Sequence, residues 1–241
     1  MSIVWYIPTA LLLLLVFVLL RRGAYRAFPW FFGYAVFGVS ADTIRFVTRS
    51  HPVQYRSVYW WTEAGYDLLG ILVMYEVVRA VLGYTARRSR VRVAFPSLLV
   101  LAVGLSLARA HAIPSQFGQG VHFYIMVGEI AVRFVQVFVF AGLVTLVPLL
   151  GLKWRQYPFG VAAGFGLYAT VALLVTTKLS DFGTRFIFLW SLTSVVAYSV
   201  AVLIWIWFFS VPQKVETSGP QLSVPSPGDL NRYKDVLRRM R

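Results

Sequence analysis

Seven apolar stretches, each set off from the next by a short polar or arginine-bearing break, fill this chain from residue 3 to about residue 210. A helix needs about 20 predominantly apolar residues to cross roughly 30 Å of hydrocarbon. A 241-residue chain that is 59% hydrophobic therefore has room for seven such helices and little else. The pattern predicts an all-α polytopic membrane protein with helices over about 3–20, 29–47, 58–82, 96–112, 121–149, 158–179 and 186–209, forming one bundle over 1–210. The first stretch is predicted to stay as a helix and not to be removed as a signal peptide. It lacks a basic leader, shows no small-residue cleavage pattern and is followed by Arg21 and Arg22.

An odd number of crossings puts the termini on opposite sides. Of the 23 Lys and Arg, sixteen fall on one side of this topology, six on the other (Arg45, Arg49, Arg56, Arg109, Lys178 and Arg185), and Arg133 lies inside a span. Because cytoplasmic loops carry the excess of basic residues, the N-terminus is expected outside and the C-terminus in the cytoplasm. The formal charge of +14 would suggest nucleic acid in a soluble protein. Here the basic residues lie at helix ends, so orientation and anionic lipid account for them, and no nucleic-acid partner is expected. The tail reads as a flexible Pro/Ser/Gly-rich linker over 211–228 followed by a basic amphipathic helix over 229–241. Such a helix suits either the inner leaflet or a protein partner on the cytoplasmic face.

Three outward-running helices open alike, with an arginine, an aromatic and then a proline expected in the first helical turn: Arg26 to Pro29, Arg92 to Pro96 and Arg155 to Pro158. The second and sixth openings match best, which hints at two three-helix repeats joined by a fourth helix, a plan some transporters use. Interface preferences alone would also produce such openings.

Ionisable residues inside a bilayer cost several kcal/mol unless paired or hydrated, so each is a candidate for function. Asp42 and Arg45 near the end of helix 2, Glu63 and Asp67 on helix 3, Arg109 at the end of helix 4, and Glu129 with Arg133 on helix 5 all belong to the outer half. Their common depth predicts one polar cavity open to the outside that takes a small ligand or ion. Glu63 and Asp67, four residues apart on one helix face, need a cation nearby, which Arg45, Arg109 or Arg133 can supply. A buried salt-bridge network that merely fixes helix packing is the competing reading. Glu76 and Arg79 are expected as a local pair at the cytoplasmic rim or as a contact reporting helix movement.

Several chemistries are excluded or disfavoured. With no cysteine there are no disulfides, thiolate metal sites or iron–sulfur ligation. His51, His111 and His122 fall near the outer surface at spacings that match no ligand pattern, so no metal and no cofactor are expected. The seventh helix has no lysine for a retinal Schiff base. Glu63, Asp67 and His111 supply acid and base for lipid chemistry, but no nucleophile stands in a recognisable setting. Gly33 and Gly38 in helix 2, and Gly160, Gly164 and Gly166 in helix 6, are expected to permit close helix approach.

Arg22-Gly23, Tyr25-Arg26 and Phe28-Pro29 with Phe31-Phe32, then Trp61, Glu63, Leu69 and Tyr75-Glu76, together resemble a group of small bacterial seven-helix membrane proteins to which no activity is assigned. The resemblance covers roughly the first third of the chain. It implies the seven-helix fold and an inner-membrane location, and it singles out Glu63 and Tyr75-Glu76. The remaining readings are ranked on the residues. A sensor-like or accessory protein with a cytoplasmic partner comes first, followed by a small transporter or channel, or a structural subunit of a larger complex.

Overall fold

In the computed structural model the described residues are 6–82, 88–110, 121–149, 156–182 and 187–211. They form seven α-helices and no strand: α1 (Ile7–Arg21), α2 (Pro29–Thr48), α3 (Pro52–Leu82), α4 (Arg88–Ala110), α5 (Val121–Leu149), α6 (Gln156–Phe182) and α7 (Ile187–Ser210). Each helix packs on the next, α7 closes onto α1, and α3 reaches across to α5 and α6. α4 leans mainly on α5, outside the closely packed ring. The compact helical unit ends at Val211, and the tail expectations for 212–241 lie outside the described residues.

Local chemistry sets the breaks. After Arg21 and Arg22 the chain turns at Gly23, whose φ of 66° is a left-handed conformation that glycine adopts without a Cβ clash. A short 3-10 turn over Ala24–Arg26 follows, and Pro29 opens α2 at the first helical turn as expected. α3 starts at Pro52, six residues before the expected 58, because Gln54, Arg56 and Ser57 continue the helix although they are too polar for hydrocarbon. At about 1.5 Å per residue its 31 residues run to about 46 Å, longer than a bilayer core is thick. α4 begins at Arg88, so Pro96 lies within the helix and not in its first turn. The apolar pattern marks where hydrocarbon would begin, not where backbone hydrogen bonding begins.

Among the described residues, three helices are long and apolar enough to cross a membrane, through Phe123–Thr145, Gln156–Val175 and Ser191–Ser210. α1 and the Pro96–Ala108 part of α4 are apolar but shorter. α2 and α3 are the helices that carry Asp42, Arg45, Glu63, Asp67, Glu76 and Arg79, and those residues are what lower their hydropathy.

The two ends of the bundle differ. At the end where α2 begins and α7 finishes, aromatic side chains fill the interior. Phe31 stacks on Phe209 with ring centroids 5.4 Å apart, Tyr157 stacks on Phe209 at 4.7 Å, and Trp205 meets Phe165 at 4.7 Å and Phe31 at 5.2 Å. The Trp205 indole fits against Gly164, where any Cβ would collide with it, and its Nε1 donates to the Val161 carbonyl at 3.2 Å. Gly33, by contrast, faces open space, so a packing role does not extend to it.

Glu76 closes this end. Its carboxylate accepts from the backbone N–H of Trp30 at 3.2 Å and of Phe31 at 3.0 Å, satisfying two of the free donors at the start of α2 and facing the positive end of that helix. Removing both acceptors with Glu76→Ala is expected to lower unfolding free energy by about 1–3 kcal/mol, with Glu76→Gln, which keeps one acceptor, losing less. Gly164→Ala, which forces Trp205 to move, should cost about 1–3 kcal/mol as well. Reversible unfolding in detergent measures both, and variants as stable as the parent would refute these roles.

Candidate functional site

The opposite end is built from α1, the last turns of α2 and the first half of α3. Asp42, Arg45 and Arg49 recur at i, i+3 and i+7, so α2 presents them on one face. Arg45 crosses to α3. One of its terminal nitrogens lies 2.8 Å from Glu63 Oε1, Nε donates to Thr62 Oγ1 at 2.8 Å, and the guanidinium lies 4.7 Å over the Tyr59 ring. Thr62 is free to receive it because its own hydroxyl donates back to the Val58 carbonyl at 2.8 Å. Asp42 turns the other way and accepts from Thr9 Oγ1 of α1 at 2.6 Å.

The second charged group is on α5. Arg133 is only 8% exposed. It donates to Glu129 at 3.2 Å and to Gln136 Oε1 at 3.4 Å, and stands 4.6 Å over the Tyr168 ring of α6. Its Nε is buried with no hydrogen-bond partner among the described residues. Asp67 approaches from α3 over Gly128 of α5, within electrostatic range of Arg133, Glu129 and Glu63. Although 9% exposed, Asp67 forms neither an ion pair nor a hydrogen bond among the described residues.

Between these groups lies a cavity of about 630 Å³ to which α1, α2, α3, α5, α6 and α7 all contribute. It runs from the end where α1 begins and α2 finishes down to mid-bundle, at Arg133, Tyr168 and Tyr198. Of the residues singled out in the sequence, Asp42, Arg45, Glu63 and Arg133 line it. Asp67 and Glu129 stand behind the wall, against Arg133. The backbone of Arg109 ends α4, and its side chain, like those of Lys178 and Asp181, lies outside the described residues, as does Arg185. Glu76 is at the far end capping α2; Arg79 acts on it electrostatically, without an ion pair between them. The ion pairs among the described residues are Arg45–Glu63 and Arg133–Glu129.

Sequence reasoning missed the tyrosines. Tyr34, Tyr66, Tyr168 and Tyr198 all line the cavity. The signal was available: tyrosine in a membrane protein favours the interface, whereas these four fall in mid-helix, where a hydroxyl needs a polar interior. The Tyr198 hydroxyl is oriented toward Tyr34 without a well-formed hydrogen bond. Among the described residues no group of three or more His, Asp or Glu is arranged to hold a metal ion. His51 is exposed beside Ser50, while His111 and the side chain of His122 lie outside the described residues.

No protein-family model, no curated protein and no solved structure matches the chain. The functional reading therefore rests on the geometry. The site is a space with two ion pairs in its wall, a tyrosine-rich lining, and two charged groups, Asp42 and Arg49, that form no ion pair among the described residues.

The two sides of the Arg133 cluster should respond oppositely. Arg133→Gln strands Glu129 and Asp67 without their cation and is expected to cost about 3–5 kcal/mol. Asp67→Asn removes a poorly solvated charge that has no direct partner, and should leave stability unchanged or raise it by about 1 kcal/mol. Chemical unfolding of both variants in one detergent tests this, and a large loss in Asp67→Asn would show that the carboxylate is an essential counter-ion.

Proposed function

We propose that this chain is a multi-pass membrane protein whose seven helices all cross the bilayer, N-terminus outside, and that it binds a small ligand in the cavity facing the outer side. The role is sensor-like or accessory, with output passed to a protein partner at the cytoplasmic face. The observation that carries this reading is the one-sided interior: a polar cavity at one end and a packed aromatic core with a capped helix at the other. The asymmetry suits a protein that receives something from one side only. Lipid contact is supported by the perimeter, where Leu13, Phe17, Val100, Leu174, Leu203 and Trp207 are exposed while Arg133 and Gln136 are buried. The resemblance noted in the sequence supports reading that membrane as a bacterial inner membrane.

A small transporter is the second reading, favoured by one contact. The matching openings of α2 and α6 meet, with Phe28 and Tyr157 edge to face at 6.4 Å and both against Phe209. Equivalent positions of two three-helix repeats would converge in this way around an axis through the bundle. Uptake into proteoliposomes that is lost in Asp67→Asn would favour transport.

The absence of cysteine makes topology directly testable. Single replacements Ser50→Cys and Gln54→Cys should react with an impermeant maleimide in intact cells, and Arg26→Cys should react only after permeabilisation. The reverse pattern would invert the bundle and overturn the outer placement of the cavity. Native mass spectrometry of the gently extracted protein should then show a bound small molecule that is lost in Glu63→Gln while the fold persists.

A further inference from the structure

The charges that line the cavity do not all cancel within it. Arg45 is matched by Glu63 and Arg133 by Glu129. That leaves Asp42, whose hydrogen bond comes from the neutral Thr9 hydroxyl, and Arg49, whose guanidinium rests 4.1 Å over the Phe46 ring with one nitrogen 3.3 Å from the Tyr6 hydroxyl. Neither forms an ion pair among the described residues, and they are not paired with each other; Arg45, already committed to Glu63, acts on Asp42 only at longer range. Both line the cavity, as do Phe46 and Tyr6. They lie seven residues apart on α2, so both fall on the same helix face with a rise of about 10 Å between their backbones. An anion-seeking group is thus held at the mouth, and a cation-seeking group is held deeper and less exposed.

Resting on the reading of the cavity as a ligand site, we propose that its ligand is a small zwitterion, an amine held by Asp42 and a phosphate ester or carboxylate held by Arg49, several ångströms apart. The guanidinium fork suits a planar or tetrahedral oxyanion. Asp42 offers the amine a carboxylate. A simple cation would leave Arg49 unmatched and a simple anion would leave Asp42 unmatched in a partly desolvated space. The same chemistry is carried by a soluble zwitterion and by the headgroup of an amine-bearing phospholipid, and both can reach a cavity whose mouth lies at the bundle end.

The test uses the full chain in nanodiscs of phosphatidylglycerol, a lipid with no amine, and follows unfolding by tryptophan fluorescence. Free phosphoethanolamine at saturating concentration should raise the melting temperature by about 5 °C, with ethanolamine and inorganic phosphate each giving a smaller shift. Asp42→Asn, which keeps an acceptor for Thr9, should abolish the response to both phosphoethanolamine and ethanolamine. Arg49→Gln, at an exposed position, should reduce the phosphoethanolamine response to the ethanolamine level. If nanodiscs containing phosphatidylethanolamine already give the full shift in an Asp42-dependent way, the ligand is the lipid headgroup. If only the free compound does, it is a soluble zwitterion.

Equal responses to ethanolamine and phosphoethanolamine, or undiminished binding in either variant, would overturn the zwitterion. A non-zwitterionic molecule retained in native mass spectrometry, and lost in Glu63→Gln, would overturn it too while leaving the cavity reading intact. An empty chain in that measurement would remove both.

Discussion

A guanidinium placed near the middle of α5 has to be satisfied by whatever surrounds it, because few environments are more costly for an unpaired charge than the interior of a helical bundle. Arg133 draws Glu129 and Gln136 from its own helix, Tyr168 from α6 and the field of Asp67 from α3. Those contacts fix the rotation of α3, α5 and α6 about their axes. They also explain why α3, a long helix, crosses the bundle to touch α5 and α6 as well as its chain neighbours. Gly128 leaves room for Asp67, and Gly70 brings Gln136 close to α3. The cavity follows from this arrangement: charged side chains are long and keep backbones apart where they meet, and the space between them is polar.

At the other end the same helices are joined by rings. Phe28, Phe31, Tyr157, Phe165, Trp205 and Phe209 fill the interior, and offset or edge-to-face contacts of this kind add to their area burial. Glu76 belongs to this end because its carboxylate is met first by a helix terminus, with Arg79 acting on it at longer range. One end therefore has the character of a soluble protein's core and the other that of a solvated cleft. A ligand entering the cleft, as proposed, would meet a floor that is already packed.

Much of this was legible in the sequence, and the limits have physical causes. The positions of the helices followed from apolar length, and α5 over 121–149 is found where it was expected. The starts of α3 and α4 were misplaced because helical hydrogen bonding does not stop where hydrophobicity does. Asp42, Arg45, Glu63 and Arg133 were recognisable as one group because depth along a helix can be counted in residues. Which carboxylate goes with which arginine was not legible: pairing depends on helix rotation, and the sequence left Arg45, Arg109 and Arg133 equally able to serve Glu63. The main contact of Glu76 was not legible for a related reason. Its partner is the backbone of α2, and backbone donors leave no mark in a residue pattern. The tyrosines were passed over because aromatic residues in apolar segments are ordinarily packing.

The way the ion pairs are held bears on how the cavity would work. Arg45 is fixed by Thr62, Glu63 and the Tyr59 ring together, and Arg133 by an acid, an amide and a ring. Each guanidinium is thus oriented before anything binds, so a ligand need not reorganise the wall, which is the condition for converting contacts into affinity with little entropic loss. Their charges are already spent, however, and they contribute shape and polarity more than attraction. On the proposed reading, attraction would be left to the groups that form no ion pair, Asp42 and Arg49. Both lie on α2, whose other end is held by Glu76. A ligand bridging the two would tie the last turns of α2 together, and α2 is the element through which that change would reach the capped, aromatic end of the bundle.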